Sequence, residues 1–202
     1  MSREQVTKFF NIVNEYDDFE YLLYIIICNC GPTLKKQKIA SLVTFSNDKR
    51  KLNLIWNKYK DRLRKKLGVS FFELRRDKRN IVVLFYNYEM MEIHIKDKQN
   101  IVFLNRFGYK SEMNVNQCLC HLKRRFEKIC PHEIGVFLGY PIEDVISFMD
   151  CNDTECKMVG YWKVYHNVEK AKVIFNNYDS IKESIIELIL KGYKPTELMS
   201  LC

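Results

Sequence analysis

The chain has 202 residues, of which 47% are hydrophobic, 13% aromatic and 29% charged, and it carries a formal net charge of +8. This composition supplies ample apolar surface for a core and excludes a disordered chain, which is poor in such residues. Seven glycines and four prolines leave no room for a long flexible linker, so a single domain over 1–202 is expected.

The N-terminal Met1-Ser2-Arg3-Glu4-Gln5 is polar and leads into an amphipathic stretch, without the layout of a secretory signal. Val6, Phe9, Phe10 and Val13 have helical spacing, which predicts a helix near 3–14. The longest apolar run, Tyr21 to Cys28, is eight residues, where a membrane span needs about 20. The run reads as a buried helix end or strand inside an apolar segment 19–28, and Gly31-Pro32 is expected to break it. A soluble, cytoplasmic chain is the expectation.

Asn47 and Asp48 are candidate N-caps for a long helix to Leu67, with Leu52, Ile55, Tyr59, Leu63 and Leu67 on one face and Gly68 as its C-cap. A hairpin follows: Val69 to Leu74, a polar turn at 77–80, then Ile81 to Tyr86. The second strand is apolar throughout, as a central strand buried on both faces would be. Short helices are predicted over 89–107 and another over Val115 to Ile129. Pro131 opens a further helix that Gly139 ends, and Pro141 opens the next, with Glu143 and Asp144 in its first turn. Val159 to Tyr165 reads as a third strand, followed by helices near 168–177 and 180–191 and a last turn at Pro195. The sum is an α+β fold: a small antiparallel sheet, with strands near 69–75, 81–87 and 159–165, covered by multiple helices.

Charge is uneven. Residues 49–79 hold thirteen cationic side chains against three acids, a local +10. Within this helix–hairpin segment Lys58, Arg62, Lys65, Lys66, Arg75 and Arg76 are the candidates for contact with nucleic acid. Trp56, Tyr59, Phe71 and Phe72 stand among them as stacking or core residues. Helical spacing favours the core.

Eight cysteines lie at 28, 30, 118, 120, 130, 151, 156 and 202. They form no Cys-x-x-Cys motif and no paired knuckles of a structural zinc site. Within a helix, Cys118 and Cys120 point roughly 200° apart and do not chelate one ion. Reduced thiols are expected. Walker, dinucleotide-binding, Gly-x-Ser-x-Gly and His-Glu-x-x-His motifs are all missing from the sequence.

The densest chemistry lies in Pro131-His132-Glu133-Ile134-Gly135-Val136-Phe137-Leu138-Gly139-Tyr140-Pro141-Ile142-Glu143-Asp144-Val145. His132 is a candidate ligand or general base. Glu133 beside it diverges by about 100° on a helix, so the two do not form a direct dyad. The helix–turn–helix-like pair around Leu138-Gly139-Tyr140-Pro141 has an acidic second helix that would repel phosphates, so it reads as a structural corner. In Gly160-Tyr161-Trp162-Lys163-Val164-Tyr165, strand alternation puts Tyr161, Lys163 and Tyr165 on one face, available to a pocket with Lys163 toward an anion.

These two blocks, together with Cys30-Gly31-Pro32-Thr33-Leu34, resemble an uncharacterised domain-of-unknown-function family of anaerobic, clostridia-type bacteria, over nearly the whole chain. That family often carries a cysteine where this chain reads Tyr178-Asp179-Ser180, and a histidine at Asn29. The resemblance implies a loose association with iron uptake and flavodoxin-type electron transfer. It also suggests a composite transition-metal site from Cys30, His132 and Cys156, which lie in or beside the similar blocks.

The sequence reading is therefore a pocket built from 30–34, 131–145 and 156–165, with His132, Glu133, Tyr140, Glu143, Asp144, Tyr161, Lys163 and Tyr165 as its candidate residues. It would hold a small ligand, a metal ion or a redox partner. The second reading is a nucleic-acid-binding or regulatory module using 49–79. No nucleophile–base pair is evident, so the sequence leaves open whether the protein is an enzyme.

Overall fold

The computed structural model describes residues 3–48, 50–127, 130–150 and 155–198. Lys128, Ile129 and Cys151 lie outside them. The elements run α1 (Arg3–Glu15), α2 (Asp18–Leu34), β1 (Ala40–Ser46), α3 (Leu52–Arg64), β2 (Ser70–Arg76), β3 (Asn80–Tyr86), α4 (Tyr88–Ile95), α5 (Lys98–Asn105), α6 (Val115–Phe126), α7 (Ile134–Phe137), α8 (Ile142–Asp150), β4 (Met158–Val159), β5 (Lys163–Val164), α9 (Val168–Leu190) and α10 (Pro195–Leu198).

The fold is α+β, with a three-stranded antiparallel sheet in the order β1-β3-β2. β3 is central, and from Ile81 to Tyr86 every residue is buried, as its unbroken apolar run predicts. Side chains alternate between two cores. Val43, Phe45, Ile81, Val83 and Phe85 face a core shared with α1, α2, α3, the C-terminal half of α9 and α10. Ala40, Leu74, Val82, Leu84 and Tyr86 face a second core built with α4–α8. The sheet is thus a middle layer between two groups of helices. A third, smaller cluster joins Trp162 and Val164 to Ala171, Phe175 and Tyr178 of α9.

Several expectations are corrected. No strand was expected at 40–46, yet β1 lies there, with Val43 and Phe45 buried and Thr44 between them exposed. Gly31-Pro32 does not break α2. Pro32 sits in its last turn, where only one backbone bond is forfeited. A Cβ at Gly31 would lie 2.6 Å from Ile185 Cδ1, so glycine permits the close approach of α2 and α9. The chain reverses just beyond, at Lys36 (φ 54°), where Gln37 and Lys38 both donate backbone N–H to Pro32 O.

Neither Asn47 nor Asp48 caps α3. Asp48 accepts the Ser46 hydroxyl instead, and the helix starts after Lys51 (φ 49°) with no side-chain cap. The two helices expected over 168–191 are the single α9. The predicted strand 159–165 is a miniature hairpin, β4 paired with β5, separate from the main sheet. Its turn at 160–162 interrupts the expected alternation. Trp162 and Val164 are buried as expected, but so is Tyr165.

Candidate functional site

Residues 131–145 form two short helices around a left-handed glycine. Gly139 (φ 76°) donates its N–H to Val136 O, and Tyr140 N–H returns to Gly135 O. A Cβ at 139 would meet Ile39 at 2.9 Å, so both conformation and space require glycine. Pro141 then opens α8 and carries Asp144 toward the β4–β5 hairpin.

Asp144 ties these segments together. It is 3% exposed. One carboxylate oxygen accepts Trp162 Nε1–H at 2.8 Å, and the other accepts the backbone N–H of Tyr165 at 2.9 Å and of His166 at 3.0 Å. Beside it, Ser147 Oγ and His166 Nε2 are 2.9 Å apart. Trp162 is further held by Tyr140 (ring centroids 5.1 Å) and Phe175 (4.5 Å).

Between α7, α8 and this hairpin lies a cavity of about 430 Å³. Ile134, Gly135, Val145, Phe148, Tyr140 and Trp162 make its body, and Pro131, His132, Asp144, Lys163 and Cys130 complete the lining. His132 meets Phe148 edge-on at 5.2 Å, and Lys163 Nζ stands 5.3 Å from the centre of the same ring. Burial pushes the Cys130 thiol up, although Arg75 opposes the shift, so the sulfur stays protonated near neutrality.

Of the sequence candidates, His132, Tyr140, Asp144 and Lys163 therefore share one cavity. Glu133, Glu143, Tyr161 and Tyr165 do not line it. Glu133 is fully buried on the other side of its turn. There it forms an ion pair with Arg125 Nε and accepts Tyr109 O–H at 3.4 Å, away from the cavity that His132 lines. Glu143 is exposed. Tyr161 faces α9, donating to Asp179 at 2.7 Å. Tyr165 contributes its buried backbone N–H to Asp144.

The metal set is not assembled. Cys30 is fully buried in the first core, its thiol pushed up by desolvation. Cys156 is half-buried ahead of β4. Among the described residues no three His, Cys, Asp or Glu side chains gather where they would hold an ion. The basic candidates are largely engaged with the fold. The Arg62 guanidinium stacks 3.7 Å from the centre of the Phe19 ring, and Lys58 Nζ lies 4.9 Å from that of Tyr59. Arg76 pairs with Glu73 at 2.6 Å, and Arg75 approaches Asp77 at 3.9 Å. Lys65 and Lys66 are exposed in the turn after α3. Trp56 is fully buried, stacked on Phe45, and Phe71 packs edge-on against it.

Two arrangements escaped sequence reasoning. One is the Ser147–His166 contact, nineteen residues apart, which does not line the cavity. The other is Lys38. It is 9% exposed, with Nζ 5.6–5.8 Å from the ring centres of Tyr140, Tyr161 and Tyr178. Desolvation pulls its pKa down to about 8. Nearby Cys30 opposes that shift, while Lys182 adds to it. No local sequence signal brings 38, 140, 161 and 178 together.

The family model described as "Protein of unknown function (DUF3793)" matches residues 26–199. This span includes all three sequence blocks singled out above. No curated protein and no solved structure gives a significant match.

Proposed function

Because this chain belongs to the DUF3793 family, whose description assigns no activity, its function is read from the cavity itself, and we propose that it binds a small organic anion with a flat apolar body. The observation that carries this reading is the pairing of an apolar interior with Lys163 and His132, both set against Phe148. The volume falls within the roughly 300–1,000 Å³ of small-molecule sites, which combine apolar walls with a few polar anchors. The ammonium of Lys163 supplies the charge, and the His132 imidazole supplies a hydrogen bond. Tyr140 and Trp162 offer ring faces to the ligand body.

Binding rather than turnover follows from the lining. Both oxygens of Asp144 are occupied by donors from the hairpin, and the Cys130 thiol is a poor nucleophile while protonated.

Calorimetric titration with 4-tert-butylbenzoate and its neutral counterpart 4-tert-butylbenzyl alcohol tests the proposal. The carboxylate should bind at least fivefold more tightly, and Lys163→Gln with His132→Gln should erase that preference while leaving the fold intact by circular dichroism. Equal affinity for the two compounds, or no heat from either at millimolar concentration, would refute it.

A further inference from the structure

A second concave region borders β2. It is a groove of about 810 Å³ whose lining includes Ser70, Phe71, Phe72 and Glu73 of β2. Phe71 and Glu73 point to the α3 side of the sheet, where Glu73 accepts Trp56 Nε1–H at 2.9 Å. Phe72 points to the other side and packs into the second core. Residues from both faces of β2 line the groove together with Tyr86, Asn87 and Tyr88 at the end of β3, so the groove lies at the 70/86 end of the sheet and takes in the first residues of the β2 edge. Lys60 and Arg64 of α3 wall one side, and Asn116 and Lys123 of α6 the other. β2 is terminal in the sheet. Among the described residues, no backbone or side-chain group outside β3 is bonded to the main chain of 70–76.

We infer that this groove receives an extended acidic peptide segment, which adds to the sheet as a fourth strand beside β2. An open strand edge presents a row of unpaired N–H and C=O groups, and natural proteins defend such edges with bulges and charge. The far end of β2 has both defences: the register breaks between Glu73 and Arg75, and Arg75 and Arg76 follow. The 70–73 end has neither, and it is this end that the groove exposes. An added strand would present alternate side chains to α3 and to α6.

Charge selects an acidic occupant. Lys36, Lys60, Arg64 and Lys123 line the groove against only Glu73 and Glu89. Glu73 is already neutralised by Lys60 at 3.1 Å and Arg76 at 2.6 Å. A peptide uses both the donors and the acceptors of the edge. A nucleic acid would use the cations and leave the carbonyl row unpaired, so the edge favours the peptide.

The test is fluorescence anisotropy with the intact chain and a fluorescein-labelled octapeptide of alternating glutamate and valine. Two further versions carry N-methyl groups on the odd or on the even backbone amides. The unmodified peptide should bind, and exactly one of the two methylated versions should bind at least tenfold more weakly, because only one set of amides faces β2. The triple variant Lys36→Glu, Arg64→Glu, Lys123→Glu, which alters exposed side chains, should weaken the unmodified peptide at least tenfold. If both methylated peptides bind as well as the parent, charge alone holds the ligand and strand addition is refuted. If single-stranded oligothymidine binds and the peptide does not, the groove is a nucleic-acid site and the inference is overturned. Failure of all probes to bind overturns it as well.

Discussion

Replacing Asp144 by Ala removes the acceptor of three hydrogen bonds that dock the 160–166 turn onto α8. The N–H groups of Trp162 and Tyr165 belong to buried residues, so each loses this acceptor where water does not reach it. His166 is exposed, and its N–H can turn to water. An orphaned buried donor costs about 1–3 kcal/mol, so the two together cost about 4 kcal/mol. For a chain of this size about 1 kcal/mol corresponds to roughly 2–4 °C in Tm, which puts Asp144→Ala roughly 8–16 °C below wild type. Asp144→Asn is a graded control. Its remaining oxygen can still accept both backbone N–H groups, while its amide opposes the Trp162 indole N–H. The expected loss is about 2 kcal/mol, one donor's share. Urea unfolding followed by far-ultraviolet circular dichroism and by tryptophan emission measures both. Hairpin release should also red-shift the Trp162 contribution before the helices melt. An Asp144→Ala protein within 1 kcal/mol of wild type, with unshifted emission, would refute the view that this carboxylate organises the site.

Lys38 should leave a pH signature. Its folded pKa is lowered to about 8, below the unfolded value of about 10.4, so between these values the unfolded chain binds more protons and stability rises with pH. Below pH 8 the full desolvation cost is present. The facing groups Tyr140, Tyr161, Tyr178 and Cys30 are all shifted upward, and Lys182 is shared by both proteins, so comparison with Lys38→Met isolates the amine. From pH 7 to pH 10 the wild type should gain about 2.5 kcal/mol relative to the variant; parallel stability curves would contradict the burial argument. Arg125→Ala should cost about 3–5 kcal/mol by leaving the buried Glu133 carboxylate with Tyr109 as its remaining hydrogen-bond partner among the described residues. Adding Glu133→Gln to Arg125→Ala should recover part of that loss, and a double variant no more stable than Arg125→Ala in urea melts would exclude a charge-based penalty.

Local pattern carried some elements well. Uninterrupted apolarity marked Ile81–Tyr86 as central. The Pro131, Gly139 and Pro141 punctuation located the α7–α8 corner, whereas His132 and Glu133 fall in the turn ahead of α7, where helical offsets do not apply. Other elements were illegible for physical reasons. The alternation of β1 extends only over Val43 to Ser46, too short a run to mark a strand. The close packing of α2 on α9 overrides the helix-breaking tendency of Gly31-Pro32. The hairpin at 158–164 looks like one strand because its turn consists of residues, Gly160-Tyr161-Trp162, that also suit a strand.

By itself, then, the amino-acid order determined the fold class, the central strand and the string that lines half of the cavity, since these depend on contacts between residues close in the chain. Tertiary structure alone decided that Asp144 would be consumed by the hairpin, that Lys38 would be enclosed by three tyrosines, and that Lys60 and Lys123 would flank one strand edge. Each of these joins residues ten or more positions apart, and nothing in local periodicity records which distant segments will meet.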